Sequence, residues 1–239
     1  MGINAIILAG GLGTRLRSVV NDVPKPMAPI AHRPFLEYLL DYWILQGVER
    51  FIISVGYKHE TIIEHFGSQY NGIRIDYAIE HTPLGTAGGL LLAAQQIDAD
   101  SSFLVLNGDT YFAVTLQTLI EFAKTHDADW CFSLFKANDP KRYLGLSVAP
   151  NGRIQALASA SQASCLANGG VYWVRQRALM DYKDKVAQDK KLSLEDDLFL
   201  LILKQQRVFG LAFQGTFIDI GVPDDYYRSQ FVIKNKELA

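Results

Sequence analysis

A glycine-rich turn followed by an arginine is the feature of this sequence that most strongly indicates chemistry. Gly10, Gly11 and Gly13 follow an apolar run at residues 5–9, and Arg15 comes directly after them. Glycines permit positive φ angles and a close approach of a ligand to the backbone. The N–H groups of such a turn can bind phosphate oxygens, and the arginine adds a fixed positive charge. The turn therefore predicts a polyphosphate site; a tight connection with a surface arginine is the alternative.

The turn matches neither of two common phosphate-binding loops. A P-loop ends in Gly-Lys-Ser/Thr, and no such triplet follows these glycines. A dinucleotide fingerprint requires a third glycine at the position that Leu16 occupies. The phosphate site, if formed, is thus of another type.

A lysine between two prolines is the second candidate. Lys25 stands between Pro24 and Pro26, ten residues beyond Arg15. Each proline fixes its own φ and restricts the residue before it. We therefore expect Lys25 to be presented from a stiff, extended segment, as suits a group aimed at a phosphate. A rigid loop edge with no such role is the alternative.

Two aspartates end apolar runs in distant parts of the chain. Asp109 follows the run at 103–106, and Asp219 follows Phe217 and Ile218. Ligands of open α/β sheets gather at the carboxyl ends of the strands. An isolated aspartate at such a position is usually a turn former or a helix cap. Only the fold can bring these two residues together.

Apolar periodicity predicts the elements that position these groups. Short apolar runs alternate with helical patterns, which favours a largely parallel sheet with helices on both faces. The second half is less regular, with a hairpin around 150–152, a helix at 194–205 capped by Ser193, and a last helix opened by Pro223. Because no linker is evident, we predict one α/β domain, a Rossmann-like α/β/α sandwich with a mostly parallel, mixed central sheet. In the more regular part of the chain the predicted strands are 5–9, 51–55, 73–79, 103–106 and 130–135. The predicted helices there are 59–66, 86–97, 116–126 and one whose apolar positions run from Phe35 to Ile44, with Gly47 as its stop.

Composition excludes several classes of protein. The 239 residues include 23 Lys and Arg against 25 Asp and Glu, a net charge of −2, whereas general binders of nucleic acid or acidic membranes have a basic excess. Two cysteines rule out a disulfide framework. The apolar runs are too short to span a membrane, and the N-terminus lacks a signal-peptide pattern. We therefore expect a cytoplasmic protein without nucleic-acid or membrane partners; its oligomeric state, a homo-oligomer included, is left open.

Together these motifs resemble the signature of the sugar-1-phosphate nucleotidylyltransferases. In that family Gly-Gly-x-Gly-Thr-Arg-Leu is followed by Pro-Lys-Pro, and both parts are complete here, at 10–16 and 24–26. The resemblance implies transfer of a nucleotidyl group from a nucleoside triphosphate to a sugar 1-phosphate, with Mg²⁺ as cofactor and pyrophosphate as the second product. It extends over nearly the whole chain, with a mainly nucleotide-binding half at 1–112 and a mainly sugar-binding half at 113–239.

The resemblance also assigns residues to roles. Gly85 would admit a flat base, and the helix start at Thr86 would offer unpaired N–H groups, although Thr86 as a simple helix cap fits the same residues. The implied catalytic residues are Arg15 and Lys25, and the implied Mg²⁺ ligands are Asp109 and Asp219. The implied nucleotide-binding residues are Leu8, Gly10, Gly11, Gly13, Thr14, Glu80, Pro83, Gly85, Thr86 and Gly108. The implied sugar-binding residues are Tyr143, Gly145, Asn168, Gly169 and Glu195.

One departure concerns the acceptor. Many family members carry Glu-Lys-Pro after the hairpin, with the lysine on the sugar phosphate, but residues 156–161 contain no lysine. Arg153, Lys190 and Lys191 are the candidates to replace it. An Asp-x-Asp motif, which a metal-dependent glycosyltransferase would require, is not formed at Asp109.

The segment at 83–88 resembles the guanylyltransferase branch more than the thymidylyltransferase branch. A short catalytic core of this kind resembles enzymes that join GTP to a heptose 1-phosphate and so supply surface polysaccharide synthesis. Two alternatives stay open: a uridylyltransferase acting on N-acetylmuramate or hexose 1-phosphate, and a non-catalytic regulatory homologue that binds nucleotide sugars.

Overall fold

The computed structural model describes residues 2–11, 13–16, 19–20, 22–137, 143–157, 166–180, 182 and 191–233. Strands and helices alternate over the first half, as the periodicity predicts. The strands of the described residues are β1 (Ile3–Leu8), β2 (Pro29–Ile30), β3 (Arg33–Pro34), β4 (Val48–Val55), β5 (Gln69–Tyr70), β6 (Ile73–Ile79), β7 (Ser102–Asn107), β8 (Thr110–Phe112), β9 (Trp130–Lys136), β10 (Leu146–Val148), β11 (Ile154–Leu157), β12 (Leu166–Arg175), β13 (Val208–Ala212) and β14 (Phe217–Asp219). The α-helices are α1 (Phe35–Leu45), α2 (His59–Phe66), α3 (Gly85–Ala94), α4 (Leu116–Thr125), α5 (Arg177–Met180), α6 (Phe199–Gln205) and α7 (Pro223–Val232).

A mixed sheet forms the centre of the described part of the chain. Its eight strands follow the order β13-β9-β12-β7-β1-β4-β6-β5. The pairs β7/β1, β1/β4, β4/β6 and β13/β9 are parallel, whereas β12 is antiparallel to both of its neighbours and β5 is antiparallel to β6. The predicted fold class is thereby confirmed, with a parallel unit at β7-β1-β4-β6 whose strands all end at one edge.

Alternation along the strands creates a core on each face of the sheet. In β1, Ala5 and Ile7 pack into one apolar cluster, with side chains of α1, α2 and α4. Ile6, between them, packs into the other, with side chains of α3, α5 and α6. All three β1 residues are fully buried. The strand is apolar on both faces because helices cover both.

A third, smaller apolar cluster holds together the loops at the edge of the sheet where the parallel strands end. Leu16, from the segment after the glycine turn, packs with Ile30, Ile218 and Tyr226, which belong to β2, β14 and α7. The short sheets β2/β3 and β8/β14 lie beside the central sheet. This cluster therefore fixes the turn region of the N-terminal half against the last strand and helix of the described chain.

Some boundaries differ from the sequence predictions. The helix predicted at 86–97 is α3, which ends at Ala94, and the one predicted at 194–205 opens with a π-helical turn, Leu194–Leu198. Ser193 caps that turn, as predicted, by accepting a hydrogen bond from the Asp196 N–H. The predicted hairpin is confirmed by the antiparallel pair β10/β11. None of the helices in the described ranges combines the length and apolar character needed to cross a membrane.

Candidate active site

A cleft of about 540 Å³ opens where the parallel strands end. Leu8, Ser54, Glu80 and Asn107 line it from the ends of β1, β4, β6 and β7 or directly after them. This is the edge at which open α/β sheets bind ligands. The residues expected from the sequence that line the cleft are Leu8, Gly10, Gly11, Gly13, Arg15, Lys25, Glu80, Pro83, Gly85, Thr86, Gly108, Asp109, Glu195 and Asp219.

The glycine turn borders the cleft with little side-chain bulk. A Cβ on Gly10 would lie 2.2 Å from the Glu80 carboxylate, so a larger residue there would force that carboxylate to move, whereas a Cβ on Gly11 would meet no atom within 4 Å. Gly13 adopts a φ of +59° and leads into a 3-10 turn, Thr14–Leu16. Leu16 is buried in the third cluster, so the turn that carries Arg15 has an apolar anchor. The open space at Gly11 leaves room for a ligand against the backbone.

Lys25 reaches the cleft from a turn, so the expectation of an extended segment is wrong for this residue. Pro24 is extended, but Lys25, Pro26 and Met27 form a 3-10 turn, closed by a 2.8 Å hydrogen bond from the Met27 N–H to the Pro24 carbonyl. Pro26 is tolerated because the first N–H groups of a helical turn have no partner within it. The Lys25 side chain, 10% exposed, thereby points into the acidic part of the cleft.

Asp109 and Asp219 meet because β8 pairs with β14. Asp219 lies opposite Thr110 in this antiparallel pair, and the Ile220 N–H donates to the Asp109 carbonyl at 3.0 Å. The Lys25 ammonium donates a hydrogen bond to Asp109 and lies 3.9 Å from a carboxylate oxygen of Asp219. Residues half the chain apart are thus joined by one cation. Their convergence, which the sequence left to the fold, is realised by strands outside the central sheet.

The two carboxyl groups differ in electrostatic environment. Burial alone would raise the pKa of Asp109, but the Lys25 charge and hydrogen bonds from Lys25 and Thr110 outweigh it and lower that pKa. Burial and the negative charge of Asp109 raise the pKa of Asp219, and Lys25 offsets this only in part. Two mutually repelling carboxylates offer the hard oxygen ligands that suit Mg²⁺. No group of three or more His, Cys, Asp or Glu side chains that could hold a metal ion occurs in the described residues.

Glu80 ties the end of β6 to the segment that follows it. Its carboxylate accepts hydrogen bonds from the Ser54 hydroxyl at 3.0 Å and from the Leu84 N–H at 3.1 Å. Burial raises the pKa of this carboxyl group, and the two hydrogen bonds lower it in part. A Cβ on Gly89 would also come within 2.6 Å of the same carboxylate. An acceptor-only group is therefore held at the cleft wall.

The start of α3 differs in detail from the expectation for a base site. Gly85 has a φ of +78°, and a Cβ there would lie 2.4 Å from the Leu192 carbonyl oxygen. The group that lies too close to Gly85 to allow a side chain is therefore the backbone of Leu192. Thr86 does not cap its own helix; its hydroxyl accepts a hydrogen bond from the Leu194 N–H at 2.8 Å.

Three neighbouring polar side chains, Asn168, Tyr172 and Glu195, lie at the far end of the cleft. Asn168, which is 9% exposed, donates a 2.7 Å hydrogen bond to the Tyr172 hydroxyl and lies near Glu195, whose pKa it lowers in part. Desolvation, followed by the negative charge of Asp196 and those of the two cleft aspartates, raises the pKa of Glu195. Tyr172 and Glu195 line the cleft, with Asn168 behind them. Such hydroxyl, amide and carboxylate groups suit a polyhydroxylated ligand.

Of the five expected sugar-binding residues, Glu195 lines the cleft, Asn168 lies behind its lining, and the other three do not line it. Tyr143 packs edge-on against the rings of Phe135 and Phe217, and Gly145 bridges to β12. A Cβ on Gly169 would lie 2.5 Å from the Phe112 ring, so this glycine serves packing. Their contact with a sugar stays a prediction.

The three candidates to replace the missing sugar-phosphate lysine differ in their position relative to the cleft. Lys191 lines the cleft. Arg153 lies elsewhere, with its guanidinium 5.8 Å from the Phe209 ring centre, and Lys190 is outside the described residues.

Sequence reasoning missed several residues of the cleft. Ser54 and Tyr172 have apolar, buried neighbours on both sides in their strands, and a polar atom within such a buried stretch was the available signal. Asn107 precedes the expected Gly108 and was passed over; it packs against Gly170, where a Cβ would lie 2.8 Å from its amide nitrogen.

Known proteins resemble this chain over nearly its full length. It is 40% identical over 229 residues to D-glycero-alpha-D-manno-heptose 1-phosphate guanylyltransferase of Aneurinibacillus thermoaerophilus, covering 95% of this chain and 97% of the relative. It is 38% identical over 234 residues to the Campylobacter jejuni protein of the same name, covering 98% and 100%. The crystal structure of HddC from Yersinia pseudotuberculosis complexed with GMP-PN superposes with a TM-score of 0.81 at 35% identity, covering 96% and 98%.

The same HddC without that ligand superposes with a TM-score of 0.82. Residues 4–236 match the family described as nucleotidyl transferase. The glycine turn, the proline-flanked lysine and the paired aspartates all lie within this match. The chain is a member of the nucleotidyl transferase family.

Proposed function

We propose that this protein transfers GMP from GTP to D-glycero-α-D-manno-heptose 1-phosphate, forming GDP-heptose and pyrophosphate. The observation that carries the proposal is the convergence of the glycine turn, Arg15, Lys25 and two aspartates on one cleft at the carboxyl edge of the sheet. The names of the two relatives support the heptose acceptor, and the GMP-PN complex of HddC supports a guanine nucleotide.

The reaction needs alignment and charge neutralisation more than a protein nucleophile. A phosphate monoester is already ionised at neutral pH, so the sugar phosphate oxygen can attack the α-phosphorus in line, and pyrophosphate leaves from the opposite side. The backbone at Gly10–Thr14 would hold the triphosphate. Arg15 would stabilise the departing pyrophosphate, and Lys25 would bridge the α-phosphate and the sugar phosphate.

The carboxylates of Asp109 and Asp219 would hold Mg²⁺, which neutralises negative charge on the phosphate oxygens. In the absence of substrate their charge is balanced in part by Lys25. Lys25 is therefore already held beside the proposed metal ligands, and its ammonium would contact the incoming phosphates from this position.

Glu80 supports guanine as the base. The Watson–Crick edge of guanine presents two adjacent donors, N1–H and the N2 amino group, whereas uracil presents one donor between two acceptors. A carboxylate offers only acceptors. Its Ser54 and Leu84 hydrogen bonds use two of about four lone-pair positions, so acceptor capacity remains for a base.

The position of Lys191 supports a binding site for the phosphate of the acceptor sugar. It is the candidate among Arg153, Lys190 and Lys191 that lines the described cleft. An ammonium at this position would bind the phosphate of the sugar, the role for which the family pattern at 156–161 provides no lysine. Asn168 and Glu195 would bind hydroxyl groups of the same sugar. We place the reaction in the cytoplasm and its product in surface polysaccharide synthesis.

A pyrophosphate-release panel tests this proposal. Four nucleoside triphosphates are crossed with the 1-phosphates of heptose, mannose, glucose and N-acetylmuramate, with Mg²⁺ present. We expect GTP with the heptose to give the highest kcat/KM. A clear preference for UTP would contradict the guanylyl assignment. Tight binding of a GDP-sugar without any pyrophosphate release would instead indicate a regulatory homologue.

A further inference from the structure

The segment of residues 191–195, here named the acceptor strap, lies across the sugar end of the cleft. Lys191, Ser193, Leu194 and Glu195 line the cleft. Leu192 lines a separate, mainly apolar cavity of about 390 Å³ on the other side. The strap is therefore a thin wall, and the positions of Lys191 and Glu195 depend on what holds it.

Three hydrogen bonds attach the strap to the beginning of α3. The Leu192 N–H donates to the Leu84 carbonyl at 2.7 Å, and the Ala87 N–H donates to the Leu192 carbonyl at 2.9 Å. The Leu194 N–H donates to the Thr86 hydroxyl at 2.8 Å. The first two are backbone bonds that almost any side chain permits. The third depends on one side chain, and it is made next to Glu195.

The contact between the two segments is close. With a φ of +78°, Gly85 brings its Cα so near to Leu192 that a Cβ would be 2.4 Å from the carbonyl oxygen. No other residue type permits this approach without movement of the strap. Leu84, on the other side of Gly85, is fixed by its N–H bond to the Glu80 carboxylate. A continuous path thus links Glu80 to the strap.

We propose that Thr86 is a positioning residue for the acceptor sugar, acting through the strap rather than by contact with the nucleotide. Its hydroxyl fixes the Leu194 N–H, which sets the start of the π-helical turn and holds Glu195 beside Asn168. The inference rests on the proposed function and adds to it a specific role for Thr86.

Substitution Thr86→Val tests the role, because valine keeps the branched shape and removes the acceptor. We expect the KM for the sugar 1-phosphate to rise about 5- to 10-fold, as for one lost hydrogen bond, with kcat and the Kd of GTP within twofold of wild type. Thr86→Ser, which restores a hydroxyl, should recover most of the affinity. Thermal unfolding of both variants checks that the fold is retained.

A double-mutant cycle with Glu195→Gln adds a second criterion. If Thr86 acts through Glu195, Thr86→Val should change the sugar KM less than twofold in the Glu195→Gln background. A weaker GTP Kd with an unchanged sugar KM would overturn the proposal, because Thr86 would then contact the nucleotide. Equal losses for both substrates, no loss for either, or full additivity in the cycle would also overturn it. Wild-type turnover of GTP with the sugar tests the proposed function independently of these variants.

Discussion

Replacement of Lys25 by methionine separates the proposed catalytic role of its charge from its structural role. Methionine retains the length and apolar stem of the side chain and removes the ammonium that joins Asp109 to Asp219. At 3.9 Å and an effective dielectric constant near 20, a unit charge pair has an interaction energy of about 4 kcal/mol. The carboxylates are 34% and 27% exposed, so water screens them, and we expect a loss of about 1–2 kcal/mol of folding stability.

The effect on turnover should be larger. A cation that neutralises charge developing in the transition state is worth about 3–4 kcal/mol, by analogy with a lost oxyanion-hole donor. Lys25→Met should therefore lower kcat by about 100- to 1,000-fold. Affinity for Mn²⁺ without nucleotide should not fall, since a cation that competes for the carboxylates has left.

The assays are pyrophosphate release at saturating substrates, urea unfolding, and Mn²⁺ binding by electron paramagnetic resonance. Lys124→Met, which removes an exposed charge from α4, is the matched control and should behave as wild type. Turnover within threefold of wild type would refute the role assigned to Lys25. A large loss of stability with normal specific activity in the folded fraction would show that the ammonium serves the fold alone.

Three further predictions concern the base, the sugar phosphate and a structural ion pair. Glu80→Gln should weaken GTP binding about tenfold or more and reduce the ratio by which GTP is preferred over UTP. Glu64→Gln, at an exposed position, is the control. Kd values from calorimetry that do not change would exclude Glu80 as a base contact. Lys191→Met should raise the KM for the sugar 1-phosphate about tenfold and leave the Kd of GTP unaltered, and equal effects on both would argue against a sugar-phosphate site. Although burial opposes it, hydrogen bonds from Arg74 and Arg50 lower the pKa of Asp76. Asp76→Asn should therefore cost about 1 kcal/mol in urea unfolding at pH 7, and this cost should disappear as the pH falls from about 4 through the lower folded pKa; a pH-independent difference would contradict the ion-pair origin.

The local pattern of apolar and glycine residues was sufficient to predict those parts of the fold that are determined by residues adjacent in the sequence. The apolar run at 5–9 is β1 with its ends shifted, because a strand covered on both faces has few polar interruptions. The glycine turn could be located because its residue types permit a backbone that few others adopt. The assignment of the strand-end Asp109 to the cleft followed from the geometry of parallel sheets.

Long-range pairing could not be predicted in this way. β13 and β14 follow each other closely in the chain, but β13 pairs with β9 in the central sheet, whereas β14 pairs with β8 outside it. The apolar pattern of a three-residue strand does not specify its partner. The turn at Lys25 was missed for a related reason. A proline restricts the residue before it, yet packing of Pro26 and Met27 in the interior outweighed that local preference.

The pairing of β8 with β14 has a consequence for how the protein acquires activity. On a ribosome the stretch containing the glycine turn, Lys25 and Asp109 emerges long before Asp219. The pair of cleft aspartates is therefore completed only when nearly all of the chain is available, and a large loop must close to complete it. A chain that ends before β14 would lack Asp219 and, by the proposed mechanism, would not transfer a nucleotide.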